Sequence, residues 1–284
     1  MSRSAPPGQP PSERDGRILG AGQLATFFLL VFALSAPLWL IGVGFDGELL
    51  PGLPISALMT FCPAGAATIV CYRQGSVAGV KTLWARAIDA GRVGLTVWWI
   101  PILFIMPVTM ALSYLAMRGV GQTLPEWQVT TTSIPVLTLL FLFAALGEEL
   151  GWTGLALPPM QARFGAAGAS VVLGLVWAIW HVVPLLQAHR TPSWIGWWTL
   201  ATVAARIFMV WLYNNAGRSV FAAAVFHASI NLTWQLFPNA GSHYDPRFAA
   251  PILAATALAI VLYCGPATLV RPHSARSAGS GHLH

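Results

Sequence analysis

The sequence predicts an all-α, polytopic membrane protein, a bundle of about eight transmembrane helices with a polar site in its core. Three observations carry this. The 284 residues are 56% hydrophobic and only 8% charged, where a soluble domain carries roughly 25% charged residues; mean hydropathy is +0.67. Apolar runs of about twenty residues, long enough to cross a bilayer as a helix, recur along the whole chain. A few ionisable side chains stand inside those runs, where charge is expensive and marks function.

The elements follow in order. Residues 1–17 are rich in Pro, Ser and Gly with mixed charges and read as a disordered cytoplasmic tail. They lack the layout of a signal peptide, because the apolar run behind them is too long. The transmembrane domain occupies 18–271, and 272–284 reads as a second disordered tail. The first span is expected at about 20–44, with Pro37 as a kink, and the second at about 53–72. Residues 73–92 read as a polar loop whose short amphipathic piece, 81–88, lies in the headgroup region. The third span is expected at about 93–117 and the fourth at about 134–157, ended by Pro158-Pro159 and a short turn at 160–165. The last four are expected at about 167–187, 194–214, 219–237 and 248–270.

Eight spans put both termini on one side. Eleven of the fifteen Lys and Arg fall on that side, only Arg118, Arg190 and Arg247 fall opposite, and Arg206 lies within a span. Basic loops stay in the cytoplasm, so both termini are expected there, in a multi-pass protein of the plasma membrane. The net charge of +6 is this orientation signal: basic residues stand singly in loops, and no nucleic-acid partner is expected. Cys62, Cys71 and Cys264 all fall in spans, with neither a disulfide framework nor a metal spacing. Trp98-Trp99 and Trp197-Trp198 read as interfacial anchors.

The chemistry centres on Glu148 and Glu149, adjacent carboxylates within the fourth apolar run. At membrane depth they need a wet cavity, a metal, a cation or a shared proton. The candidate partners inside spans are His181, His227, Asn231 (four residues after His227, on the same helix face) and Arg206. Two histidines and a carboxylate, here Glu148, His181 and His227, can hold one divalent metal, zinc first, and leave a position for water. The second Glu is then a general base. Without metal, Glu and His activate water directly while His227 and Asn231 polarise a carbonyl. Spacing does not separate the two schemes, because the groups come from three helices. Rise along the helices also sets a tension, since Glu149 lies roughly 12 Å and His181 roughly 20 Å from the cytoplasmic ends of their expected spans.

These residues resemble the CPBP, or ABI, family of intramembrane proteases, which includes type II CAAX prenyl endopeptidases and bacterial relatives. Its Glu-Glu motif is matched by Glu148-Glu149, its aromatic-xxx-His by Trp177 and His181, and its His-xxx-Asn by His227 and Asn231; the likeness covers about 134–237. The resemblance implies hydrolysis of membrane-associated peptides or proteins, with Glu148, Glu149, His181, His227 and Asn231 as catalytic residues. Prenylated substrates belong to its eukaryotic branch and are not assumed. Thr153 stands where the family usually has Arg, so the Glu pair lacks that charge compensation unless Arg163 or Arg206 reaches in.

Each residue also has a plainer reading. The Glu pair fits a proton relay, His181 a packing histidine, His227 with Asn231 interhelical glue, and Arg206 a structural cation paired with a carboxylate or with carbonyls. Gly147 and Gly151 form a small-xxx-small face for close helix packing. The alternatives to an enzyme are a non-catalytic membrane scaffold or immunity-type protein of the same family, and a proton-coupled transporter, which would show internal symmetry. No His-Glu-xx-His, no Gly-x-Ser-x-Gly and no Asp pair within spans is present.

Overall fold

The computed structural model describes residues 19–45, 47–127 and 132–271; the expected tails at 1–17 and 272–284 lie outside them. Eight α-helices make up the described bundle: α1 (Ala21–Gly44), α2 (Cys62–Ala85), α3 (Trp99–Gly119), α4 (Ser133–Glu149), α5 (Leu157–Gln187), α6 (Pro192–Asn215), α7 (Val220–Gln235) and α8 (Pro246–Cys264). By length and composition six helical segments suffice to cross a membrane. The difference has two causes. Ser133–Gln187 counts as one segment of 55 residues, far beyond the ~20 a bilayer needs, and holds both α4 and α5. At 16 residues, α7 is short.

The breaks fall where backbone geometry demands them. Pro158 and Pro159 do not end the fourth span as expected. A π-helical segment, Leu150–Ala156, follows α4, and the two prolines occupy the first turn of α5, where a missing N–H costs little. The helix therefore runs on to Gly165, whose φ of +68° stops it. The amides of Ala166 and Ala167 then donate to the carbonyls of Ala267 and Pro266 at 2.8 and 2.9 Å. Glu149 and His181 thus stand sixteen residues before and after one break, about 24 Å along each helix, which removes the depth mismatch.

Two other expected boundaries shift. The polar loop 73–92 is mostly helical. It reverses at Ser76 (φ +54°), so that Gly79 lies against the carbonyl of Cys71 and Trp84 donates to Thr68 at 3.0 Å. Only glycine fits at 79, since a Cβ there would sit 2.8 Å from that oxygen. Its Leu83 is buried; the 3₁₀ helix Arg86–Arg92 follows. The last span ends at Cys264, not near 270, because Gly265-Pro266 cannot continue a helix. Residues 265–271 instead form a strap held by Asn214 and Asn215, which donate to the carbonyls of Thr268 and Leu269.

Between α1 and α2 a short hairpin, β1 (Glu48–Leu50) and β2 (Leu53–Pro54), leads into a 3₁₀ helix, Ile55–Phe61. The small-xxx-small face of α4 works as expected. A Cβ at Gly147 would meet the carbonyl of Thr60 at 2.8 Å, and one at Gly151 that of Pro63 at 2.6 Å. That close approach brings Thr60 beside Glu148. The core around the site is aromatic: Phe27, Trp152, Trp180, Phe208 and Phe226 are fully buried.

Candidate active site

The two glutamates leave the last turn of α4 in different directions. Glu149 is fully buried. One oxygen, Oε2, accepts from Arg206 Nη1 at 2.9 Å and from the Thr153 hydroxyl; the other, Oε1, meets His227 Nδ1 at 3.0 Å. Glu148 borders a cavity of about 450 Å³ that Glu149 does not line. Its partners are neutral: Thr60 Oγ1 at 3.1 Å on Oε1, and the indole N–H groups of Trp177 at 2.6 Å and Trp152 at 3.3 Å on Oε2. Trp152 sits four residues after Glu148, one turn on, and Trp177 reaches across from α5.

The histidines are oriented through Nδ1. In His181, Nδ1 lies 2.9 Å from the carbonyl of Trp177. A carbonyl only accepts, so Nδ1 carries the proton. In His227 the same logic applies against a carboxylate held by Arg206. Both rings keep Nε2 as the remaining nitrogen, and His227 Nε2 lies 4.0 Å from Glu148 Oε1. His181, His227 and Asn231 all line the cavity with Glu148. Their convergence is what the sequence led us to expect, although Glu148 and His227 are far apart in the chain.

Trp177 joins these groups. Its N–H goes to Glu148 and its carbonyl to His181; its ring packs edge-on to His227 at 5.0 Å and under the Arg206 guanidinium at 4.4 Å. The motifs marked this position only as aromatic. Thr60 and Trp152 had no sequence signal, being ordinary residues in apolar runs. Arg206 did have one, as the single basic residue within an expected span. It is fully buried, and its Nε and Nη2 have no hydrogen-bond partner among the described residues. Arg206, not Arg163, supplies the cation missing at Thr153; the Arg163 guanidinium lies 5.5 Å over the Phe164 ring. A buried charge left alone would be prohibitive, so the pair Glu149–Arg206 stands or falls together.

The set Glu148, His181 and His227 fits a metal in part. Both free Nε2 atoms have the tautomer a metal ligand needs. The spacing does not suit: among the described residues no three His, Cys, Asp or Glu side chains gather as a metal-holding group, and Glu148 Oε2 is already taken by two indoles.

Fold and site define a polytopic helical membrane protein with a Glu–His–Asn centre facing a largely apolar cavity. Residues 130–233 match the family model described as type II CAAX prenyl endopeptidase Rce1-like, a likeness that the three motifs led us to expect. The chain is also 28% identical over 263 residues to a CAAX prenyl protease 2 from Methanococcus maripaludis, with 84% of this chain and 92% of the relative covered.

Proposed function

We propose that this chain is an intramembrane endopeptidase of the CAAX-protease type, with Glu148 as the general base. The observation that carries this reading is the division of the two carboxylates, one on the cavity and one saturated by Arg206, Thr153 and His227. In this mechanism a water lies between Glu148 and Nε2 of His181. Glu148 takes its proton as the oxygen attacks a peptide carbonyl. Asn231 and an imidazolium form of His227 stabilise the oxyanion, donating from Nδ2 and Nε2. That form makes Glu148, Glu149, Arg206 and His227 sum to zero charge, which suits a low-dielectric interior. Proton return from Glu148 to the leaving nitrogen completes hydrolysis. Glu149 touches no substrate here; it holds His227 in place.

The test is cleavage in nanodiscs of a short apolar peptide with a C-terminal CAAX sequence, prenylated and unprenylated, by wild type and Glu148→Gln. Product from wild type and not from the variant is expected. Equal inertness of both, with identical membrane proteomes in cells, would replace the enzyme with a scaffold. A second reading, zinc on Glu148, His181 and His227, is favoured by the two free Nε2 atoms. Loss of activity on chelation and its recovery with zinc would select it.

A further inference from the structure

After the reversal at Ser76, residues 77–85 run back beside the first part of α2 as a short helix. Contacts settle which side of it faces the bundle. Gly79 lies against the carbonyl of Cys71, and the buried Leu83 reaches to 3.4 Å from where a Cβ on Gly154 would stand. Arg86 donates to the carbonyls of Gly154 at 3.0 Å and Arg218 at 2.9 Å, and to the Tyr213 hydroxyl at 3.0 Å. Val77, Lys81 and Trp84 stand at i, i+4 and i+7 and so share the other side. Lys81 is exposed. Val77 is 57% and Trp84 48% exposed, and Ile88, just past the helix end, 81%.

This outer side carries charge of one sign. No acidic residue lies between Glu48 and Asp89 in the sequence. Arg73 and Lys81 are exposed on either side of the reversal, and neither has an ion pair among the described residues. Asp89 is turned inward. It accepts from the Ser219 hydroxyl and from the amides of Val220 and Phe221 at the start of α7, and lies 3.9 Å from Arg86 and 3.7 Å from Arg92. The outer side is therefore both apolar and basic. The segment containing α2, and α3 after it, are long and apolar enough to cross a membrane, which tethers the arm at the bilayer at both ends.

We propose that residues 71–92 form a binding site for anionic phospholipid, with Arg73 and Lys81 at the headgroup phosphate and Val77, Trp84 and Ile88 against the acyl chains. An amphipathic helix at an interface buries its apolar side at the headgroup–acyl boundary, while long basic side chains lie along apolar surface and reach the phosphates. Each Lys or Arg near an anionic surface strengthens binding about fivefold. An acidic protein would match the charge alone; a lipid matches both the charge and the exposed Val77, Trp84 and Ile88. Leu83 and Arg86 hold the inner side on the bundle, so the site is formed before lipid arrives. The proposal stands apart from the protease reading and assumes no catalysis.

Native mass spectrometry of the full chain in detergent tests it, with equimolar phosphatidylglycerol and phosphatidylcholine of the same acyl chains. Wild type should retain phosphatidylglycerol in preference. The double variant Arg73→Gln with Lys81→Gln should lose that preference by about fivefold per residue, roughly 25-fold in all. The charge-keeping double variant Arg73→Lys with Lys81→Arg should retain it. Should the Gln double variant fail to fold, each single Gln variant is read instead, with about a fivefold loss expected. Equal retention of the two lipids by wild type, or a preference unchanged in the Gln variants, overturns the proposal. Binding of polyglutamate to wild type in phosphatidylcholine nanodiscs, without a preference for phosphatidylglycerol, would make this side a protein-docking surface and overturn it as well.

Discussion

Glu148 and Glu149 are identical side chains on adjacent residues, and each meets a threonine hydroxyl and the His227 ring, yet the rest of their surroundings differs. Glu149 has an arginine, a hydroxyl and an imidazole, no exposure and no cavity. Glu148 has a hydroxyl and two indoles, no hydrogen-bonded cation among the described residues, and a cavity in front of it. The first arrangement fixes a charge in place; the second presents one to a reactant. A helix sends consecutive side chains about 100° apart, so a doublet at this depth can serve one purpose on each side. A Glu pair in a membrane therefore need not act as a pair.

The largest expected effect tests that division directly. Glu148→Gln should lower peptide cleavage about 10³-fold, the range for a lost general base, while its thermal midpoint in detergent stays near wild type, because the Gln carbonyl oxygen still accepts from the Trp177 and Trp152 indoles and its NH2 donates to the Thr60 hydroxyl, which itself donates to the carbonyl of Ala144. Glu149→Gln should do the reverse, keeping measurable turnover and losing midpoint. Equal rate losses with equal stability would erase the distinction.

Arg206→Met comes next. It leaves the buried Glu149 with only His227 and Thr153 as partners, and breaking a buried ion pair costs about 3 kcal/mol or more. The double variant Glu149→Gln with Arg206→Met should recover much of that loss, read as the thermal midpoint of each form; simple additivity would show that the two are not coupled.

A smaller change sharpens the Glu148 side. Trp177→Phe keeps a ring under Arg206 and beside His227 but removes the N–H to Glu148. A hydrogen bond to a charged group contributes about 1.5–3 kcal/mol, so kcat should fall by roughly tenfold to a hundredfold with little change in KM. A KM effect alone would mean that the indole holds substrate instead.

The smallest concerns Thr153. Thr153→Val removes a neutral donor from a carboxylate that keeps two stronger partners, and should lower stability by about 1 kcal/mol with cleavage retained. Thr153→Arg, the family's usual residue, should be the more harmful of the two, because Arg206 already fills the cationic position and Thr153 is buried. A fully stable Thr153→Arg would show that the site tolerates both cations.

Residue type and periodicity alone were enough for the helical membrane fold and for the gathering of Glu148, His181, His227 and Asn231 on one cavity. Apolar runs must be helical in lipid, and costly polar groups within them must find one another. Helix limits were legible only where glycine or proline acts alone. Pro158-Pro159 misled because the π-helical turn before them places both at a helix start, and that register is set by packing along Gly147 and Gly151 rather than by local preference. The roles within the site were decided by tertiary structure. Which glutamate faces the cavity depends on where Arg206 arrives from α6, and Thr60 reaches Glu148 only because two glycines let backbones meet. A side chain's neighbours across helices depend on rotation and depth of each helix in the bundle, and no spacing along one chain segment encodes those.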